Sequence, residues 1–235
     1  MSILLLLFGL VVGIFVVWKQ ARRHLFAERS AFDSLFIVLI SMAVGARVLY
    51  CVTHIDQFGF SILRWLVIPY YPGFSSGGVL LGGVIGFWIV YERKRSIPFG
   101  ILADSLTNAL VAGLPFWLFA YGLLGMDNGK DTNWSIFAHH PISVYRILVL
   151  LLVMLGLVKL NRMLTRVAGL RSMLTWGLLS LAYILVDFAR KTDVYYGKLS
   201  PDQWASGITG ILLLGGFFLL FSNVFFSVKK RRGVR

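Results

Sequence analysis

Residues 2–18 read S-I-L-L-L-L-F-G-L-V-V-G-I-F-V-V-W, seventeen positions without a charge. No basic residue precedes the run and no small-residue cleavage site follows it. It therefore reads as a retained first span rather than a removed signal peptide. Six further apolar segments follow, at about 31–53, 76–91, 99–123, 142–160, 174–189 and 205–228. Predominantly apolar stretches of this length are long enough to cross a bilayer as helices, and unpaired main-chain groups in lipid exclude open strands. The sequence predicts an all-α, polytopic membrane protein of seven transmembrane helices, with residues 1–235 forming a single transmembrane domain.

Composition points the same way. Of 235 residues, 58% are hydrophobic and 14% charged, too little charge to solvate a soluble domain of this size. Twenty-three Lys and Arg stand against ten Asp and Glu, but the excess sits in short clusters between apolar runs, as topology signals do, so no nucleic-acid partner is expected. Lys19, Arg22, Arg23 and Arg29, then Arg93, Lys94 and Arg95, then Lys159, Arg162, Arg166 and Arg171, then Lys229, Lys230, Arg231, Arg232 and Arg235 occupy alternate connections. The intervening connections hold only Arg64, Lys130, Arg190, Lys191 and Lys198. This bias predicts the C-terminus in the cytoplasm and, with seven crossings, the N-terminus outside. Cys51 is the single cysteine, which excludes an intrachain disulfide and a thiolate metal cluster. No metal or other cofactor is expected.

Small residues at i, i+4 spacing mark faces where helices approach closely: Gly78, Gly82 and Gly86 on the third span, Gly9 and Gly13 on the first. Ionisable groups within spans are costly and mark working positions or snorkelling anchors. Asp33 and Asp104 fall near the cytoplasmic ends of spans two and four. Arg47, Arg146, Asp187 and Arg190 fall in the outer halves or at the outer ends of spans two, five and six, near His139 and His140. Asp187 and Arg190 are three apart and can pair on one helix face. Three arginines with one acid leave surplus positive charge that suits a phosphate, because guanidinium offers a planar fork of donors. Snorkelling to the headgroups is the alternative.

The order of these features resembles the prolipoprotein diacylglyceryl transferase family, bacterial inner-membrane enzymes that move a diacylglyceryl group from phosphatidylglycerol to a lipobox cysteine. The carriers are G-A-R-V-L-Y at 45–50, S-G-G-V-L-L-G-G-V-I-G at 76–86, E-R-K-R-S-I-P-F-G-I-L-A-D at 92–104, N-G at 128–129, H-P-I-S-V-Y at 140–145 and V-D-F-A-R-K-T-D at 186–193. The resemblance implies a multi-pass protein of the bacterial inner membrane. The lipid headgroup-binding candidates are Arg47, Arg146, Asp187 and Arg190, of which Arg47, Asp187 and Arg190 fall at positions the resemblance retains, and the candidate catalytic residues are His140 and Tyr145.

The chain also departs from the pattern. Leu81 stands where the family places a histidine before the Gly-Gly of span three, and Gly122 where its signature loop carries an arginine. Lys130 replaces that loop's glutamate, Tyr183 the arginine four residues before the acid of span six, and Arg146 the glutamate after His-Pro-x-x-x-Tyr. The reading that follows is a divergent member, a pseudoenzyme that binds a phosphatidylglycerol-like phospholipid without efficient transfer and handles lipid or binds a prolipoprotein or another membrane protein. An active transferase of lipoprotein biosynthesis is the alternative. A small anion or solute transporter is the second, for which no paired broken helices are found.

Overall fold

The computed structural model describes residues 1–24, 27–67, 70, 73–93, 98–125, 129–132, 138–164, 167–192 and 194–232, with 161, 162 and 223–232 described by their main chain alone. Lys94, Arg95, Asn128, Arg166, Asp193 and Arg235, named above, lie outside the described residues. The described chain is helical: α1 Ser2–Arg23, α2 Glu28–Thr53, α3 Ile55–Phe58, α4 Ile62–Leu66, α5 Ser76–Arg93, α6 Phe99–Leu123, α7 Ile142–Leu164, α8 Leu170–Asp187 and α9 Pro201–Arg232. No extended strand occurs among these residues, only isolated bridges between loops.

Six helices, α1, α2, α6, α7, α8 and α9, are long and apolar enough to cross a membrane. The third apolar segment forms α5, whose 18 residues end in the charged pair Glu92–Arg93. That end leaves α5 a shorter apolar run than the other six, although α5 lies against α2 and α9 within the bundle. Phe36, Ile40, Val44, Val48 and Val52 on α2, and Leu148, Leu151, Leu152, Leu155 and Val158 on α7, are exposed. Apolar side chains at three- and four-residue spacing, turned outward rather than inward, are the lipid-facing surface of a multi-pass membrane protein.

Glycines set the closest helix contacts. A Cβ on Gly78 would lie 2.4 Å from the carbonyl oxygen of Gly45, one on Gly82 2.2 Å from that of Ser41, and one on Gly86 2.9 Å from the Cα of Val38. The i, i+4 face of α5 is therefore pressed against the main chain of α2. On α1, a Cβ on Gly9 would meet the Trp117 indole at 2.6 Å and the Gly113 carbonyl at 3.0 Å, which is how α1 docks on α6. Gly82→Leu is expected to cost at least the roughly 1–3 kcal/mol typical of overpacking, since the obstacle is backbone. A thermal melt of the purified variant in detergent checks this; an unchanged midpoint would mean that α2 and α5 separate readily.

Asp104, on α6, joins the far end of the bundle. Its carboxylate accepts the main-chain N–H of Gly169 and of Ser172, both at 2.8 Å. It thus satisfies donors left open in the first turn of α8, as a capping carboxylate does from within a helix's own sequence. Gly169 itself has φ of 92°, a left-handed conformation that glycine adopts without a Cβ clash.

Candidate functional site at the polar end of the bundle

At the end opposite Asp104, α7 and α8 bring Arg146 and Asp187 together. One guanidinium nitrogen of Arg146 donates to Asp187 Oδ1 at 2.6 Å and to Ser76 Oγ, at the start of α5, at 3.0 Å. The guanidinium lies 5.2 Å from the centre of the Tyr183 ring. The two charged side chains are 7% and 1% exposed. An ion pair so enclosed is held by geometry, because its attraction must offset the loss of two hydration shells. Arg146 Nε, Asp187 Oδ2 and the Tyr183 hydroxyl are buried with no hydrogen-bond partner among the described residues.

A second pair lies beside the first. Arg190 donates to Asp202 Oδ2 in a close contact, and Asp202 Oδ1 accepts the Ser75 hydroxyl and, at 3.0 Å, the Gly77 N–H. Ser75 Oγ in turn accepts the Gly78 N–H at 2.9 Å, capping α5. Asp202 therefore joins the loop after α8, the start of α9 and the start of α5. The Asp187–Arg190 pairing expected from their spacing does not form. Helix α8 ends at Asp187 and the next residues turn away, so Arg190 leaves the helix face and meets Asp202 instead. The count of one acid for three arginines is corrected to two.

Arg47 is spent differently. Its Nε donates to the Trp65 carbonyl at 2.7 Å, one terminal nitrogen to the Gly73 carbonyl at 2.9 Å, and the other to the Arg64 carbonyl at 3.3 Å. Its guanidinium also lies 5.1 Å from the Phe58 ring centre. It clasps the connection between α2 and α5 rather than joining Arg146 and Arg190.

His140 Nδ1 and the Tyr145 hydroxyl are 3.0 Å apart, so the two candidate catalytic residues share a hydrogen bond. Their segment is anchored through Lys130, whose N–H donates to the Ala189 carbonyl and whose carbonyl accepts the His140 N–H. Gly129 fits there because a Cβ would lie 1.9 Å from the His140 carbonyl oxygen. His139 is exposed and paired with Asp131 at 2.8 Å. Leu81 is half-buried on α5, and Gly122 is half-buried in the last turn of α6.

Two cavities adjoin α9, one at its start and one along its length. A polar one of about 90 Å³ is lined by Tyr50, Thr53, His54, Arg190, Lys191 and Asp202, among others. An apolar one of about 240 Å³, reaching the Asp104 end of the bundle at Gly100 and Gly169, is lined by Leu80, Phe87, Phe99, Trp176, Thr209 and Leu213, among others. Sequence reasoning missed Asp202, Ser75 and Ser76. A signal for the first was present: Ser200-Pro201-Asp202 is a helix start, with proline in the first turn and an acid beside it.

Comparison with known proteins agrees with this architecture. A phosphatidylglycerol–prolipoprotein diacylglyceryl transferase of Thermotoga maritima is 24% identical over 239 residues, covering 93% of this chain and 80% of the relative. One of Polaromonas naphthalenivorans is 25% identical over 198 residues, covering 76% of this chain and 71% of the relative. The model of the family described as prolipoprotein diacylglyceryl transferase matches residues 3–221, and this multi-pass membrane chain belongs to that family.

Proposed function

We propose that this chain binds a phosphatidylglycerol-type phospholipid from the outer leaflet, with its basic C-terminal tail in the cytoplasm, and does so without efficient transfer of the diacylglyceryl group. The observation that carries the lipid reading is the pair of cavities. Ser75 and Asp202 line the polar cavity, and the apolar one begins at Leu80 on the same side as Ser75 and at Thr209 on the same helix as Asp202. Five to seven helical residues correspond to roughly 10 Å, a distance over which an amphiphile passes from headgroup to acyl chain. Arg190 and Lys191 at the polar cavity supply cationic donors, and the apolar cavity suits a hydrocarbon tail.

Of the four headgroup candidates, Arg190 lines the polar cavity. Arg146, Asp187 and Arg47 line neither cavity, and Arg47 holds the connection between α2 and α5. Against efficient transfer stand Leu81 and Gly122, which offer neither a proton acceptor for an incoming thiol nor a cation for the departing glycerol phosphate. A prolipoprotein or another membrane protein would then be a partner presented with lipid rather than a substrate turned over.

Lipid extracted from the purified chain is expected to be enriched in phosphatidylglycerol relative to the membrane it came from. Arg190→Ala combined with Lys191→Ala should lower that enrichment. Lipid of bulk composition in the unmodified chain would remove the lipid reading and leave the arginines as structural anchors.

A further inference from the structure

The connection between α2 and α5 has two faces. Its inner side is held in place. Phe58 is buried against the Arg47 guanidinium, and the carbonyls of Arg64, Trp65 and Gly73 accept from Arg47. The indole N–H of Trp65 donates to the Gly59 carbonyl at 3.1 Å. The outer side is apolar: Phe60 is 94% exposed, and Ile62, Leu63 and Leu66 are 70% exposed or more. A contiguous apolar patch of this kind marks a surface that something covers. It continues the lipid-facing edge of α2, where Val44, Val48 and Val52 lead to the exposed Ile55 at the start of α3.

We propose that residues 55–67 lie along the membrane surface at the headgroup level of the outer leaflet, with Phe60, Ile62, Leu63 and Leu66 reaching its acyl chains. Water is scarce at that depth, and irregular main chain there needs partners from the protein. The carbonyls that Arg47 and Trp65 serve fall at the ends of α3 and α4 and just before α5, where no helix supplies a donor. Bulk water would hydrate such groups unaided. A buried arginine spent on three of them suits a backbone that lipid covers. The exposed Asp56, Gln57 and Arg64 keep the segment at the interface rather than within the hydrocarbon. Arg64 stands among the apolar residues, where its stem can lie along the chains and its guanidinium can meet a phosphate.

The seating bears on the candidate site. His54 and Ser75, at the two ends of this connection, both line the polar cavity. A segment fixed in the leaflet between them holds the cavity at the height of the headgroups. The four outward side chains are not part of the core, so any large apolar residue serves in their place. The choice of leaflet rests on the orientation proposed above, whereas the seating at an interface does not.

For the test, the full-length chain carrying Leu63→Cys, or Asp56→Cys for comparison, is labelled with a fluorophore. It is then reconstituted in vesicles of phosphatidylethanolamine and phosphatidylglycerol. The unmodified chain, whose Cys51 is buried, gives the background. The label at 63 is expected to be quenched several-fold more by a nitroxide on the lipid acyl chain than by aqueous iodide. The label at 56 should show the reverse order. Iodide quenching at 63 as strong as at 56 would mean that the face meets water. Protection at 63 from both quenchers would mean that protein covers it, and either result overturns the seating. In intact spheroplasts, a maleimide that cannot cross the membrane should react with Asp56→Cys. Reaction only after lysis would overturn the outer leaflet and the orientation behind it, while the quenching would still decide the seating.

Discussion

Asp187→Ala is expected to destabilise the protein by about 3–5 kcal/mol, the cost of leaving a buried charge without its partner. The carboxylate side chain is 1% exposed and its contact with Arg146 is 2.6 Å. Arg146 would keep Ser76 Oγ as an acceptor, but a neutral hydroxyl does not balance a guanidinium away from water. Measured against the roughly 5–15 kcal/mol that holds a typical domain folded, the loss is large. It should appear as a melting temperature lowered by roughly 10 °C and a reduced yield from the membrane. Asp202→Ala is the natural comparison. Its ion pair with Arg190 is 15% exposed on both sides, so water can reach the stranded arginine and the electrostatic part of the cost should be smaller, although the Ser75 hydroxyl and the Gly77 N–H also lose their acceptor. A larger loss for Asp202→Ala would show that its bonds to Ser75 and Gly77 outweigh the difference in burial.

Cells depleted of their own prolipoprotein diacylglyceryl transferase are expected not to grow when this chain is the only replacement. A positioned proton acceptor contributes typically about 10²–10⁴ in rate. A preorganised donor at a developing charge is worth about 2.7–4 kcal/mol. Leu81 and Gly122 forgo one of each. Contributions of groups that act as a unit do not add, but losing either one alone already slows transfer by about a hundredfold or more. Joint restoration, Leu81→His with Gly122→Arg, should raise transfer to a lipobox peptide above that of the parent chain. Growth supported by the unmodified chain would sink the non-catalytic reading. It would turn attention to His140, hydrogen-bonded to Tyr145, as the group that takes the thiol proton.

The membrane class was legible because lipid imposes a simple rule on sequence: long uncharged runs, helical throughout. The glycine faces were legible for a similar reason, since the four-residue spacing of Gly78, Gly82 and Gly86 fixes them on one side of α5. Polar partners were not, because spacing informs only on neighbours along one helix. Asp202 bonds to Ser75 across 127 positions of chain, and no local pattern joins them. The expected pairing of Asp187 with Arg190 assumed that the helix continued; its end at Asp187 sends Arg190 elsewhere. Arg47 displayed its charge in the sequence but not the groups that the charge meets. Its actual acceptors, the carbonyls of Arg64, Trp65 and Gly73, are groups every residue has and no sequence displays.

Main-chain acceptors leave the connection between α2 and α5 free to change over time. A side chain that grips main-chain oxygens sets no requirement on which amino acids it grips. The exposed residues Phe60, Ile62, Leu63 and Leu66 can be exchanged while the curve of the backbone stays held from beneath. Arg47 is fixed by this arrangement, and the surface it supports is left open to drift. A library randomised across those four positions should therefore yield many folded members, while one randomised at Arg47 alone should yield few.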